Sequence, residues 1–180
     1  MQRLFRLNAD HWDKVVIRSA KTMQIHDFTG GNTVLLGSNR SNLWNRLFEP
    51  MLNFRFDYDE DQRVAFIRNM NPLPGEQSTY RAAPPGKSGD CYSTIALVPN
   101  LRRTGNVLMI GGTTAEGTES AGEFIMNPAW SSGFIATLMQ RNKGRLPYFE
   151  VLLRSGTFSG IAKNAETIAF RVIAVDPPRN

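Results

Sequence analysis

The pattern that most constrains the fold of this chain has three parts. An apolar, partly β-branched run is followed by a glycine-containing polar loop and then by apolar residues at helical spacing. The pattern occurs first over residues 33–36, 37–42 and 43–48. A short apolar run that ends at glycine is typical of a buried strand, and the spacing after the loop predicts a helix. Ser41 is the predicted N-cap because its hydroxyl can accept from a free N–H, and Pro50 is predicted to end the helix.

The same order returns over residues 106–110, 111–118 and 119–126, with Thr118 as the predicted N-cap. A third helix is predicted over 131–142 and buried strands over 147–154 and 167–175. Strands that alternate with helices favour an α/β fold. We therefore expect a Rossmann-like three-layer domain with a mostly parallel central sheet.

Two antiparallel additions to this sheet are predicted. Residues 54–58 alternate between aromatic and polar side chains, and residues 63–67 return after an acidic turn, which indicates a hairpin. The run 91–98 is predicted to pair with 106–110 because the connection is short. Residues 71–90 are rich in proline and glycine and are expected to form a long irregular loop.

The domain organisation predicted from these patterns is simple. Residues 1–28 form a poorly defined N-terminal extension with a short strand at Val15–Ile17, and residues 29–180 form a single α/β domain. The early part of the chain lacks a strand-plus-helix unit, so the chain is also compatible with being the terminal piece of a larger regulator.

Composition narrows the classes of function. The chain has 180 residues and a formal charge of +5, but most of its basic residues are scattered arginines, so nucleic acid is an unlikely partner. No apolar run is long enough for a membrane span. Cys91 is the single cysteine and is expected to be a buried structural residue, and the two histidines cannot complete a zinc site with it. We predict a cytoplasmic protein without a cofactor.

Both glycine loops are candidate ligand-binding sites. Free N–H groups and the helix dipole at a helix start attract anions, and loops at the carboxyl ends of parallel strands lie at one edge of the sheet. We expect a small anionic or nucleotide-like ligand between them. The predicted contacts are Gly37, Ser38, Asn39, Arg40, Ser41 and Asn42 in the first loop, and Gly111, Gly112, Thr113, Thr114, Glu116, Gly117 and Thr118 in the second.

Other interpretations of these loops stay open. Glycine turns after strands also occur for purely structural reasons, because the chain must turn sharply and cap a helix. The chain lacks a recognisable catalytic constellation, which favours a non-catalytic sensing or regulatory domain. An enzyme that acts on nucleosides or N-glycosidic bonds through Glu116 or Glu119 is the first alternative, and a structural or oligomerising domain is the second.

Four segments resemble an uncharacterised bacterial domain that often follows a winged-helix DNA-binding module or another signalling module. They are Leu35–Trp44, Leu52–Phe56, Gly111–Phe124 and Leu146–Leu153. The resemblance covers roughly residues 30–175. It implies a cytoplasmic effector or sensory domain, with an upstream DNA-binding module or a second copy of the chain as possible partners. The family's first loop usually has a Gly-Gly-Pro sequence, whereas this chain has Gly37-Ser38-Asn39, which weakens the prediction of an anion site there.

Overall fold

The computed structural model describes residues 14–84, 87–158, 161–162 and 165–175. These residues contain nine strands, two α-helices and several short 3₁₀ helices. The strands are β1 (Thr33–Leu36), β2 (Phe54–Asp59), β3 (Val64–Asn69), β4 (Thr79–Arg81), β5 (Gly89–Pro99), β6 (Asn106–Gly112), β7 (Phe149–Phe158), β8 (Ile161–Ala162) and β9 (Glu166–Val172), and the helices are α1 (Ala115–Met126) and α2 (Pro128–Arg141). The 3₁₀ helices are Ala20–Thr22, Ile25–Phe28, Leu43–Leu47 and Glu49–Met51.

The predicted Rossmann-like fold with a mostly parallel sheet is wrong. The main sheet has the order β1-β6-β5-β7, with β8 and β9 both paired to β7, and β2, β3 and β4 form a separate antiparallel sheet. Among the described pairings, only β1 with β6 is parallel. The chain is therefore mostly β, with a mixed sheet that is largely antiparallel.

The position of β5 explains this error. The helices α1 and α2 connect β6 to β7, and these two strands run in the same direction, as a crossover in an α/β fold would predict. However, β5 lies between them and is antiparallel to both. The first glycine loop does not lead into a crossover helix at all, because the chain continues into the small sheet instead.

The two faces of the main sheet are covered differently. On one face, Ile95, Ile110 and Val151 pack with Phe124 of α1 and Phe134 of α2. On the opposite face, the first part of the sheet packs against Phe28 and the 3₁₀ segment at 43–51, and Leu152 of β7 packs against the small sheet. Successive strand residues point to opposite faces, so Phe149, Val151 and Leu153 of β7 lie on the helix-covered face and Leu152 lies on the other face.

The helix predicted over 43–48 is wrong in type. Leu43–Leu47 is a 3₁₀ helix, and its N-cap is Asn42 rather than Ser41, since the Asn42 side chain accepts from the N–H of Trp44 at 3.2 Å. The proline at 50 lies inside the next 3₁₀ helix. The helix predicted to start after Thr118 instead begins four residues earlier, with Thr114 as its N-cap. The helix predicted over 131–142 begins earlier too, at Pro128.

Both predicted hairpins are confirmed: β2 pairs with β3 and β5 pairs with β6, each antiparallel. The prediction that 71–90 is one irregular loop is wrong, because β4 lies within it and β5 begins at Gly89. Val15–Ile17 is exposed and is not a strand. The strand predicted over 147–154 continues as β7 up to Phe158. Residues 159–160 lie outside the described part of the chain, as do residues 1–13 of the predicted N-terminal extension.

Candidate functional site

The two glycine loops meet at the same end of the parallel pair β1 and β6. The Gly37 N–H donates to the carbonyl of Ile110 at 2.8 Å, which continues the parallel ladder into the first loop. Gly37 has a φ of +94°, a left-handed conformation that favours glycine. A Cβ atom on Gly111 would lie 2.9 Å from the Gly37 carbonyl oxygen and 3.1 Å from Cε2 of Phe56. The backbones at Gly37 and Gly111 therefore approach each other too closely for a side chain at position 111.

The polar groups of the first loop are largely bonded within the protein. The carbonyl of Ser38 accepts from the backbone N–H groups of Ser41 and Asn42 and from the Ser41 hydroxyl. The Asn39 amide donates to Glu49 Oε1 at 2.7 Å and to the Phe56 carbonyl at 3.1 Å. These bonds hold the loop against the 3₁₀ segment and β2, and they occupy the Asn39 amide and the backbone N–H groups of Ser41 and Asn42.

Arg40 is exposed, and its side chain stacks on an aromatic ring of β2. Its guanidinium carbon lies 3.4 Å from the centre of the Tyr58 ring, within the range of a cation–π interaction. The helix that follows the loop has five residues and is of the 3₁₀ type, so few aligned peptide dipoles face the loop. The physical basis for predicting an anion at residues 37–42 is thus weaker than the sequence indicates.

The second loop divides between the two faces of the main sheet. Gly111 faces the first loop, whereas a Cβ on Gly112 would lie 2.4 Å from the backbone nitrogen of Thr118, in the first turn of α1. Thr113 Oγ1 bonds to the backbone of Tyr92, and Thr114 Oγ1 accepts from the Gly117 N–H at 3.1 Å.

The remaining predicted contacts of this loop also lie on the helix-covered side. Gly117 is buried against β5, and the Thr118 hydroxyl donates to the Thr114 carbonyl. Glu116 is partly buried and Glu119 is exposed. The structure therefore brings Gly37 and Gly111 together, while the described contacts of Gly112, Thr113 and the residues of the α1 start are with β5 and with one another.

A small cavity lies beside the contact between Gly37 and Gly111, and we call it the junction cavity. The cavity has room for about one water-sized group. Gly37, Glu49 and Phe56 are the partly exposed members of its wall, so its mouth lies among them. The lining residues are Gly37, Asn45, Glu49, Leu52, Phe54, Phe56, Thr94, Met109 and Gly111.

Asn45 provides an unpaired polar atom in this wall. The residue is 4% exposed, and its Nδ2 donates to the Gly37 carbonyl at 2.8 Å, which fixes which end of the amide is oxygen. The Oδ1 atom is buried and has no hydrogen-bond partner in the described structure. A buried acceptor without a partner costs about 1–3 kcal/mol, so this atom is set up to receive a donor.

Glu150 positions the strand that forms one side of the cavity. It is 2% exposed in β7, and its two carboxylate oxygens accept from the backbone N–H groups of Asn53 at 2.6 Å and Phe54 at 2.9 Å. Burial raises the pKa of Glu150 above its ordinary value, against the opposing effect of these two N–H donors and of Arg171 and Arg55. The bonds attach the start of β2 to the main sheet and so hold Phe54 in place.

Sequence reasoning missed both Asn45 and Glu150. A single glutamate within the apolar run 149–153 is a usable signal, because a charge in a buried strand needs partners. Asn45 interrupts the apolar stretch between Trp44 and Leu47, but its spacing alone does not separate a buried amide from a surface one.

Cys91 is 1% exposed, and burial raises the pKa of its thiol, which confirms the expectation of a buried cysteine. Within the described residues, no cluster of three or more His, Cys, Asp or Glu side chains could hold a metal ion. The helices in that part of the chain are too short or too polar to cross a membrane.

Comparison with protein-family models, curated proteins and solved structures finds no match to this chain. The resemblance to a bacterial effector or sensory domain therefore stays a prediction.

Proposed function

We propose that this chain is a regulatory binding domain rather than an enzyme, and that its ligand inserts a small hydrogen-bond-donating group into the junction cavity. The observation that carries the proposal is the buried, unpaired Oδ1 of Asn45 in a cavity wall. Ligand sites combine mostly apolar walls with a few polar groups that set orientation, and this cavity has that composition.

The size and polarity of the cavity favour a donor over the anion predicted from the sequence. Its polar side chains are those of Asn45, whose unpaired atom is an acceptor, of Glu49, whose carboxylate is an acceptor, and of Thr94, whose hydroxyl can donate or accept. A phosphate group has five heavy atoms, whereas the interior admits one water-sized group. The bulk of a ligand would therefore lie across the mouth, near Gly37, Glu49 and Phe56.

The same lining supports binding over group transfer. Glu49 is the one titratable side chain among the nine lining residues. Acid–base or nucleophilic catalysis usually needs a second group beside the first, a base next to a nucleophile or a paired acid. Neither Glu116 nor Glu119 lines this cavity.

The test uses three probes at equal concentration: n-butylammonium chloride, 1-butanol and inorganic phosphate. Binding is followed by ¹H–¹⁵N NMR, with the Asn45 side-chain amide as the local reporter. The variant Thr94→Ile adds bulk to the cavity wall at a strand position that suits a β-branched residue. Thr137→Ile, on α2 and outside the lining, is the matched control.

We expect at least one donor probe to shift the Asn45 amide signals in the wild type and in Thr137→Ile, and to lose its effect in Thr94→Ile. The dispersed spectrum of each variant serves as the check that it is folded. The proposal is overturned if neither donor probe binds, if Thr94→Ile binds as well as the wild type, or if phosphate alone binds.

A further inference from the structure

We infer that the group bound in the junction cavity is the ammonium head of an aliphatic primary amine, held as a cation. The inference rests on the proposed function above and goes further, because it assigns a charge and a chemical class to the ligand. Three features of the wall carry it: an uncompensated carboxylate, an unpaired amide oxygen and apolar side chains that suit an alkyl stem.

The carboxylate of Glu49 lacks a cationic partner in the described structure. Its Oε1 atom accepts from the neutral amide of Asn39 at 2.7 Å, and no lysine, arginine or histidine lies within ion-pair distance of it there. Three acidic residues of the small sheet and its surroundings, Asp57, Asp59 and Glu76, are each paired with an arginine, and Glu49 differs from them in this respect. Glu49 therefore carries a negative charge at the cavity that a bound cation would neutralise.

A second acceptor belongs to another residue of the same wall, Asn45. Asn45 Oδ1 cannot be turned away to find another donor, because the Asn45 Nδ2 is held by the Gly37 carbonyl. An ammonium head carries three N–H donors, so it can bond to an amide oxygen and a carboxylate together. A hydroxyl has one donor and can satisfy only one of them.

The rest of the wall suits the carbon part of an amine. Leu52 and Met109 are each 7% exposed, and Phe54 and Phe56 add aromatic rings. Arg171 already lies 5.1 Å from the Phe54 ring centre, so Phe56 is the ring left for a ligand cation. With the ammonium head in the water-sized interior, the unbranched alkyl stem would extend across the mouth beside Phe56, the partly exposed apolar residue of the wall.

The test compares n-butylammonium with 1-butanol in the wild type, in Glu49→Gln and in Glu119→Gln, by NMR titration of the Asn45 amide. Glu49→Gln removes the charge and keeps an oxygen for the Asn39 bond. Glu119→Gln is the control because it removes one equal charge from an exposed site on α1. We expect the amine to bind with Kd on the order of millimolar, at least tenfold tighter than the alcohol. Glu49→Gln should weaken amine binding about tenfold, and Glu119→Gln should leave it unchanged.

The outcomes separate the two proposals. If the alcohol binds as tightly as the amine, or if Glu49→Gln does not weaken the amine, the ammonium assignment is wrong and the binding site survives. If neither probe moves the Asn45 signals, the cavity holds a water molecule only, and the proposed function fails together with this inference.

Discussion

The close contact between Gly37 and Gly111 makes one substitution especially informative. An alanine at position 111 would place its Cβ 2.9 Å from the Gly37 carbonyl oxygen, 3.1 Å from the Gly37 carbonyl carbon and 3.1 Å from Cε2 of Phe56. Two of these neighbours are backbone atoms, so the first loop must move to relieve the overlap.

The expected loss follows from two opposing effects. Overpacking of this kind costs about 1–3 kcal/mol, while replacing glycine by alanine returns about 0.5–1 kcal/mol of backbone entropy. We therefore expect Gly111→Ala to lower the free energy of unfolding by about 1–2 kcal/mol, and to lower Tm by about 3–6 °C in a domain of this size.

The same substitution elsewhere supplies a graded series. A Cβ on Gly112 would lie 2.4 Å, 2.6 Å and 2.9 Å from three backbone atoms of the α1 start. Gly112→Ala should therefore lower the free energy of unfolding by about 3 kcal/mol or more. Gly122 and Gly133 lie within α1 and α2 with no heavy atom within 4 Å of the added Cβ. Gly122→Ala and Gly133→Ala should therefore stabilise the protein by about 0.5–1 kcal/mol.

Urea denaturation and thermal melting of the four variants test this order of stabilities. An unchanged denaturant m-value is the check that the free energies of unfolding of the variants can be compared. If Gly111→Ala melts at or above the wild-type temperature, the close approach of the two loops is refuted. If Gly122→Ala and Gly133→Ala destabilise as much as Gly111→Ala, the loss has no connection with the contact.

Three further predictions address the supporting structure. Thr114→Ala should lower the free energy of unfolding by about 1 kcal/mol, because the Thr114 hydroxyl caps α1 by accepting from the Gly117 N–H. Thr118→Ala should lower it by only a few tenths of a kcal/mol. Equal losses in urea denaturation would contradict the assignment of the cap. Arg171 holds the pKa of Glu76 at about 2, below its ordinary 4.5, so the ion pair stabilises the fold above about pH 4.5 and this contribution is lost as the pH falls towards 2. Glu76→Gln should lower the free energy of unfolding by about 1–2 kcal/mol at pH 7 and by little at pH 2. A loss of equal size at both pH values in denaturation experiments would refute the pairing. Cys91 should react with a thiol reagent only as the protein unfolds, because it is buried and its thiol pKa is raised; labelling at the rate of an exposed cysteine under native conditions would contradict its burial.

Local patterns were sufficient for several elements of the fold. The alternation at 54–58 and the short connection between β5 and β6 predicted two hairpins that the structure contains, because strand periodicity and short connections act within a few residues. The two faces of β7 follow from the same period of two. The two glycine loops were also identified as a related pair, and the parallel pairing of β1 with β6 brings their first glycines together.

Strand order and helix type depended on contacts between distant residues. Periodicity within β6, α1 and β7 is the same whether β5 lies between the strands or elsewhere, so the sequence pattern could not exclude a parallel sheet. At 43–48, helical spacing does not distinguish an α-helix from the 3₁₀ turn that forms here, where the Asn42 and Asn45 side chains bond to Trp44 N–H and to the Gly37 carbonyl.

The character of the candidate site was decided by tertiary structure as well. The sequence alone determined that glycine stands at 37 and 111, each at the end of an apolar run and at the start of a loop with polar residues. Only the folded chain placed Asn45 and Glu49 beside that contact and bonded the Asn39 amide to Glu49. The balance of donors and acceptors at a site depends on which groups are already paired, and here the partners come from β1, β2, β6 and the 3₁₀ segment.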